Sequence, residues 1–221
     1  MNNKGRNLLL TTHITVSVGW IGAVLAYLAL VIAALTGPSD QLLRAAWIAL
    51  ELLGWYVLVP LALAALVTGI SIALATPWGV LRHYWVATSL LLTVVAAAVL
   101  LQHMSTVTLF ASIAADAAIA DVRDVLRPAL RGELLHAGVG LVVLLGIATL
   151  NVYKPGGLTV YGRRRSGVVA DFPSSGVSRT ESGWGTPART PRWVHAVWIH
   201  AAALLLLLAI LHVAGGLRLH S

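Results

Sequence analysis

The chain has 221 residues, of which 58% are hydrophobic and 10% charged, with a net charge of +7 and no cysteine. A mean hydropathy of +0.86 leaves too little polar surface for a water-soluble domain of this length. The missing cysteine excludes disulfides, thiolate metal sites, iron–sulfur clusters and covalent c-type haem attachment. Any metal would have to be held by His, carboxylate or Met.

Five apolar stretches follow in order. The first, residues 8–35, comes after a short basic leader with Lys4 and Arg6 and is too long for the core of a signal peptide, so it reads as a retained span. The second, 45–75, contains Pro60, which removes a backbone donor and predicts a kink. The third covers 84–110. The fourth, 134–150, is barely long enough for a hydrocarbon core of about 30 Å, and the fifth is 193–213. Backbone groups in lipid must be satisfied within each segment, so the expectation is an all-α polytopic membrane helical bundle with five transmembrane helices.

Basic residues set the expected orientation. With the amino terminus provisionally inside, Lys4, Arg6, Arg82, Lys154, Arg163, Arg164, Arg165, Arg179, Arg189 and Arg192 fall on the inner side, and Arg44, Arg123, Arg127, Arg131 and Arg218 on the outer. Asp40, Asp116, Asp121, Asp124 and Glu133 offset the outer set. Together these favour a cytoplasmic amino terminus and an external carboxyl terminus in a multi-pass membrane protein.

The connections divide the chain further. Residues 112–131 read as an outer amphipathic helix ending before Pro128, and 1–151 as the membrane domain. Residues 152–192 are basic and, from about 166 to 190, rich in Gly, Ser, Thr and Pro, which predicts a largely disordered cytoplasmic loop. Its Arg163-Arg164-Arg165 run suits an anchor to anionic lipid. The positive charge therefore points to the bilayer rather than to nucleic acid, with a homo-oligomer or a membrane redox partner as further candidates. The fifth span and an external tail make up 193–221.

Eight histidines are the unusual residues, and depth counting sorts them into layers. His13 and His200 form a deeper inner pair, the candidate inner ligands for haem b or copper. His103, His136 and His212 sit on three helices in an outer layer, with Glu51 at similar height, while His83 and His195 lie at the inner boundary. An intramembrane His or Glu costs free energy unless it pairs, lines a cavity or holds a ligand. Neutral imidazole is a common ligand for haem iron and transition metals, so His103 with His136 suits a bis-His haem b site, or either with His212 and Glu51 a copper or zinc site. The alternative is interhelical hydrogen bonding or proton relay in a membrane subunit or small permease. In the first span His13, Ser17, Trp20, Val24 and Tyr27 share one helical face, suited to a cofactor or quinone pocket or to a packed polar-aromatic seam. Gly19 and Gly22, and Gly138, Gly140 and Gly146, permit close helix approach, and Trp47, Trp78, Trp85 and Trp193 read as interface markers.

His13 to Trp20 with Gly22 and Tyr27, then Thr76-Pro77-Trp78-Gly79 and Arg82-His83-Tyr84-Trp85 leading into a His-bearing third span, resemble uncharacterised actinobacterial integral membrane proteins. More remotely, the His-to-Trp spacing of the first span is similar to the copper-resistance protein D superfamily and the membrane-bound haem-containing protoporphyrinogen oxidases. That resemblance implies a haem or copper role for His13 and a third-span histidine, with electron transfer or a redox step on a lipid-soluble or tetrapyrrole substrate.

Overall fold

The computed structural model describes residues 3–75, 82–119, 121–154 and 157–159. Five α-helices make four long rods: α1 (Asn3–Thr36), α2 (Asp40–Leu53) running through a π-helical turn (Gly54–Leu58) into α3 (Val59–Ala75), α4 (Tyr84–Ala115) and α5 (Val122–Tyr153). No strand occurs among the described residues; a lone antiparallel bridge joins His83 to Leu158.

All four rods are long and apolar enough to cross a bilayer, yet only 22–33% of their most apolar windows is buried inside the bundle. The remaining Leu, Ile and Val side chains face outward, which water would penalise and hydrocarbon does not. The chain is a multi-pass membrane protein. The expected fifth span, 193–213, lies outside the described residues.

Local chemistry explains where the rods begin, bend and end. Gly37 and Pro38 stop α1, and the Ser39 hydroxyl accepts the Leu42 N–H at 3.1 Å to cap α2. The irregularity anticipated at Pro60 lies just upstream of it. Because Pro60 carries no N–H for the Tyr56 carbonyl, the ladder shifts and the Val59 N–H reaches back five residues to Gly54. At Gly54 the rod comes so close to α4 that an added Cβ would stand 2.5 Å from Met104 Cε.

The fourth rod departs from the sequence expectation. The segment 112–131 is not a separate surface helix. Instead α4 continues to Ala115, a short turn follows, and α5 starts at Val122 and passes through Pro128. Pro128 is the seventh residue of α5, past the first turn, so the helix forgoes the bond that an N–H there would make to the Asp124 carbonyl and continues through it. At 32 residues, α5 is roughly 48 Å long, comfortably more than a hydrocarbon core.

Consecutive rods are neighbours: α1 packs on α2, α3 and α5, and α4 on α2, α3 and α5. The result is an up-and-down bundle. Its core includes Val31, Trp47, Leu50, Met104, Val107, Leu126 and Leu130. Trp47 is therefore no interface marker; it is wholly buried with its ring 4.9 Å from Phe110.

One end of the bundle is closed by arginines. Arg44 of α2 donates to the carbonyls of Ala114 (2.9 Å), Asp116 (2.6 Å) and Ile119 (2.6 Å), satisfying the open end of α4. Arg127 of α5 does the same for α1 through Leu35 and Gly37. Arg123 pairs with Asp40. At the other end Lys154 takes a left-handed conformation (φ 43°) that closes α5, and its Nζ lies 6.0 Å over the Trp85 ring.

Candidate functional site

The buried face of α5 repeats at helical spacing through Val122, Leu126, Leu130, Glu133, Ala137 and Leu144. A carboxylate thus occupies a position that the pattern reserves for an apolar side chain. Glu133 has a side chain 3% exposed, and an unpaired charge there would cost several kcal/mol or more. It is not unpaired. Tyr27 of α1 donates its hydroxyl to Glu133 Oε2 at 2.7 Å, and His103 Nε2 of α4 lies 2.9 Å from both carboxylate oxygens. Three helices meet at one acid.

These residues stand nine, twelve and eleven positions from the nearer ends of α1, α4 and α5, roughly 14–18 Å along the helices. The charge pattern of the sequence counts Glu133 among the outer loop charges. That placement is corrected, because α5 begins at Val122 rather than at residue 134. The heptad-like register from Val122 was the available signal, masked by the assumption that Pro128 ends a helix.

His136, one turn beyond Glu133, stacks on His103 with ring centroids 3.7 Å apart and planes 12° from parallel. The array thus joins a carboxylate, an imidazole and a phenol by hydrogen bonds, with a second imidazole stacked on the first.

Trp20, Val24 and Tyr27 are buried together, confirming the inward face expected for the first span, with Ser17 half-buried beside them. They border a cavity of about 90 Å³ whose wall includes Leu58, Val99, His103, Met104, His136 and Gly140. The cavity is nearly all apolar except where the two imidazoles and the Tyr27 phenol meet it. Of the glycines expected to permit helix contact, Gly19 faces Leu61 at 3.6 Å, whereas a Cβ at Gly22, Gly138, Gly140 or Gly146 would meet nothing within 4 Å.

His13 occupies a different setting. Its Nδ1 lies 2.8 Å from the Thr68 hydroxyl of α3, whose own proton is directed to the Ala64 carbonyl at 2.6 Å, so His13 acts as the donor. Gly69 makes the room: a Cβ there would stand 3.3 Å from His13 Cε1. His200 and His212, and the anchor Arg163-Arg164-Arg165, lie outside the described residues.

Among the described residues the outer-layer metal set is not assembled, and its His212 lies outside them. Glu51, half-buried on α2, does not line the cavity shared by His103 and His136, and no group of three His, Asp or Glu side chains suited to a metal occurs among the described residues. The carboxylate that reaches His103 is Glu133. Nor does the pair fit a bis-His haem. Axial ligands must each aim a nitrogen at an iron lying between them, whereas these rings lie face to face, with His103 Nε2 turned to Glu133 and a cavity far smaller than a tetrapyrrole macrocycle.

Comparison with known proteins returned no matching family model, no matching curated protein and no matching solved structure. The resemblance described above rests on the residues quoted for it.

Proposed function

We propose that this chain is a small multi-pass protein of the bacterial inner membrane that holds and relays a proton within the bilayer, as a permease or as a subunit of a larger membrane assembly. The observation that carries this reading is Glu133, buried at membrane depth and bonded to both Tyr27 and His103. An ionisable group inside a span points by default to function, and proton relays are among the roles such groups carry. Glu133 is the proton-accepting group, His103 its exchange partner, Tyr27 the donor that fixes the carboxylate, and His136 the second imidazole facing the cavity. The excess of Lys and Arg on the side of Lys4 and Arg82 supports a cytoplasmic amino terminus, with residues 193–213 as a fifth span leading to an external carboxyl end.

Infrared difference spectra recorded on lipid-reconstituted protein between about pH 5 and about pH 9 test the reading. A carboxyl band that appears on acidification, disappears in Glu133→Gln and shifts in His103→Ala and Tyr27→Phe is the expected result. A spectrum unchanged by Glu133→Gln overturns it. Haem or copper binding is the competing chemistry. A visible haem spectrum lost in both His103→Ala and His136→Ala would replace proton relay by electron transfer.

A further inference from the structure

The outward face of α4 carries a side chain that hydrocarbon does not suit. At helical spacing this face presents Leu91, Val94, Ala98, Leu101 and Ser105, all exposed, with Gln102 among them. Of the four rods α4 is the least covered, with 22% of its most apolar window buried. The hydroxyls here find partners nearby: Ser105 donates to the Gln102 carbonyl at 2.8 Å, and Thr108 accepts the Trp55 indole N–H at 3.1 Å. Among the described residues no hydrogen bond reaches the Gln102 side-chain amide. It stands roughly 20 Å along the helix from the outer end of α4, next to His103. An amide turned to lipid at that depth costs free energy, whereas the same amide between two helices holds them together.

The chain is led to this rod. Tyr84 N–H donates to the Gly157 carbonyl at 3.4 Å and Thr159 N–H to the Arg82 carbonyl at 3.0 Å, so the last described residues lie along the foot of α4. Residues 160–192 then lead to 193–213, the expected fifth span, whose His212 is level with His103 by depth counting. A tethered segment meets the face at an effective concentration that a second copy must reach by collision. We propose that residues 193–213 pack along the outward face of α4, with His212 sharing a hydrogen bond with the Gln102 amide. The inference rests on the fifth-span reading and on no part of the proton relay.

The cysteine-free chain is its own background for disulfide cross-linking in native membranes. Leu101→Cys is paired in turn with a single cysteine at each of positions 205–211. The control is Leu25→Cys: Leu25 is 51% exposed on α1 and lies two residues before Tyr27, as Leu101 lies two before His103, so both stand at the height of Glu133. Intrachain disulfides with Leu101→Cys, recurring every three or four positions and forming at least about tenfold faster than with Leu25→Cys, are expected, since the bond needs Cα atoms within about 7 Å. If Leu101→Cys fails to accumulate, Ala98→Cys is read instead. Gln102→Leu and His212→Leu should each raise the unfolding constant about threefold, and the double variant no further. Additive effects overturn the Gln102–His212 pair. Equal rates with Leu25→Cys, no cross-link at any position, or disulfides between chains from Leu101→Cys alone, which would seat a second copy on this face, overturn the docking. Ser221→Cys separates the two readings: labelling by an impermeant maleimide from the external side without a Leu101→Cys cross-link refutes the docking alone, whereas labelling only from the cytoplasmic side refutes the fifth span.

Discussion

Two intramembrane histidines, His13 and His103, are placed in contrasting company. His13 donates to a threonine hydroxyl that is itself tied to the backbone of α3, and a glycine clears space for its ring. His103 faces a buried carboxylate, a tyrosine and a second imidazole drawn from two other helices. The first arrangement completes hydrogen bonding between two neutral groups and joins α1 to α3. The second places two titratable groups within proton-transfer distance beside a cavity. The same residue type thus faces a hydroxyl in one place and a carboxylate in the other, and only the second partner can change charge.

The largest effect should come from removing the acid. Glu133→Leu leaves the Tyr27 hydroxyl and His103 without their acceptor, and we expect a loss of about 2–4 kcal/mol in a reversible unfolding assay, as for other broken buried pairs. A neutral outcome would mean that the pair contributes nothing to the fold. Next, Arg44→Ala strips two carbonyls at the end of α4 and one in the turn after it of their donor and should cost about 1–3 kcal/mol, seen also as faster hydrogen exchange near Ala114 to Ile119. It serves as the comparison for a purely structural charge.

A smaller change tests the close approach beneath Pro60. Gly54→Ala drives a methyl against Met104, which is 1% exposed, and should cost about 1–2 kcal/mol; Met104→Ala in the same background should recover part of that. The least effect belongs to His13→Ala, at about 0.6 kcal/mol, the average for an interhelical hydrogen bond in a membrane protein, with the Glu133 infrared band unchanged. A shift of that band in His13→Ala would show that the two histidines belong to one relay and would dissolve the distinction between them.

Much of this was legible in the residues. The four described rods follow from unbroken apolar runs, and the inward turn of Trp20, Val24 and Tyr27 follows from their spacing in α1. The pairing of His103 with His136 as neighbours was also legible from depth counting, because α4 and α5 are antiparallel and adjacent. The identity of the acid was not. Glu51 sits inside an apolar run and drew the assignment, while Glu133 follows Arg131 and Gly132 and reads as a loop residue until α5 is extended back through Pro128. Trp47 was misread for a similar reason: tryptophan favours interfaces on average, but here the neighbouring α4 presents Phe110 and covers it.

Composition and hydropathy by themselves determined that this is a membrane bundle, because a backbone in hydrocarbon has few ways to satisfy its hydrogen bonds and long apolar runs have few other fates. Tertiary structure decided which polar groups share a site. Height along a helix can be counted from sequence, but the direction in which a side chain points depends on helix register and on which rods are neighbours. Tyr27, His103 and Glu133, separated by 76 and 30 positions, become one array through the packing of α1, α4 and α5.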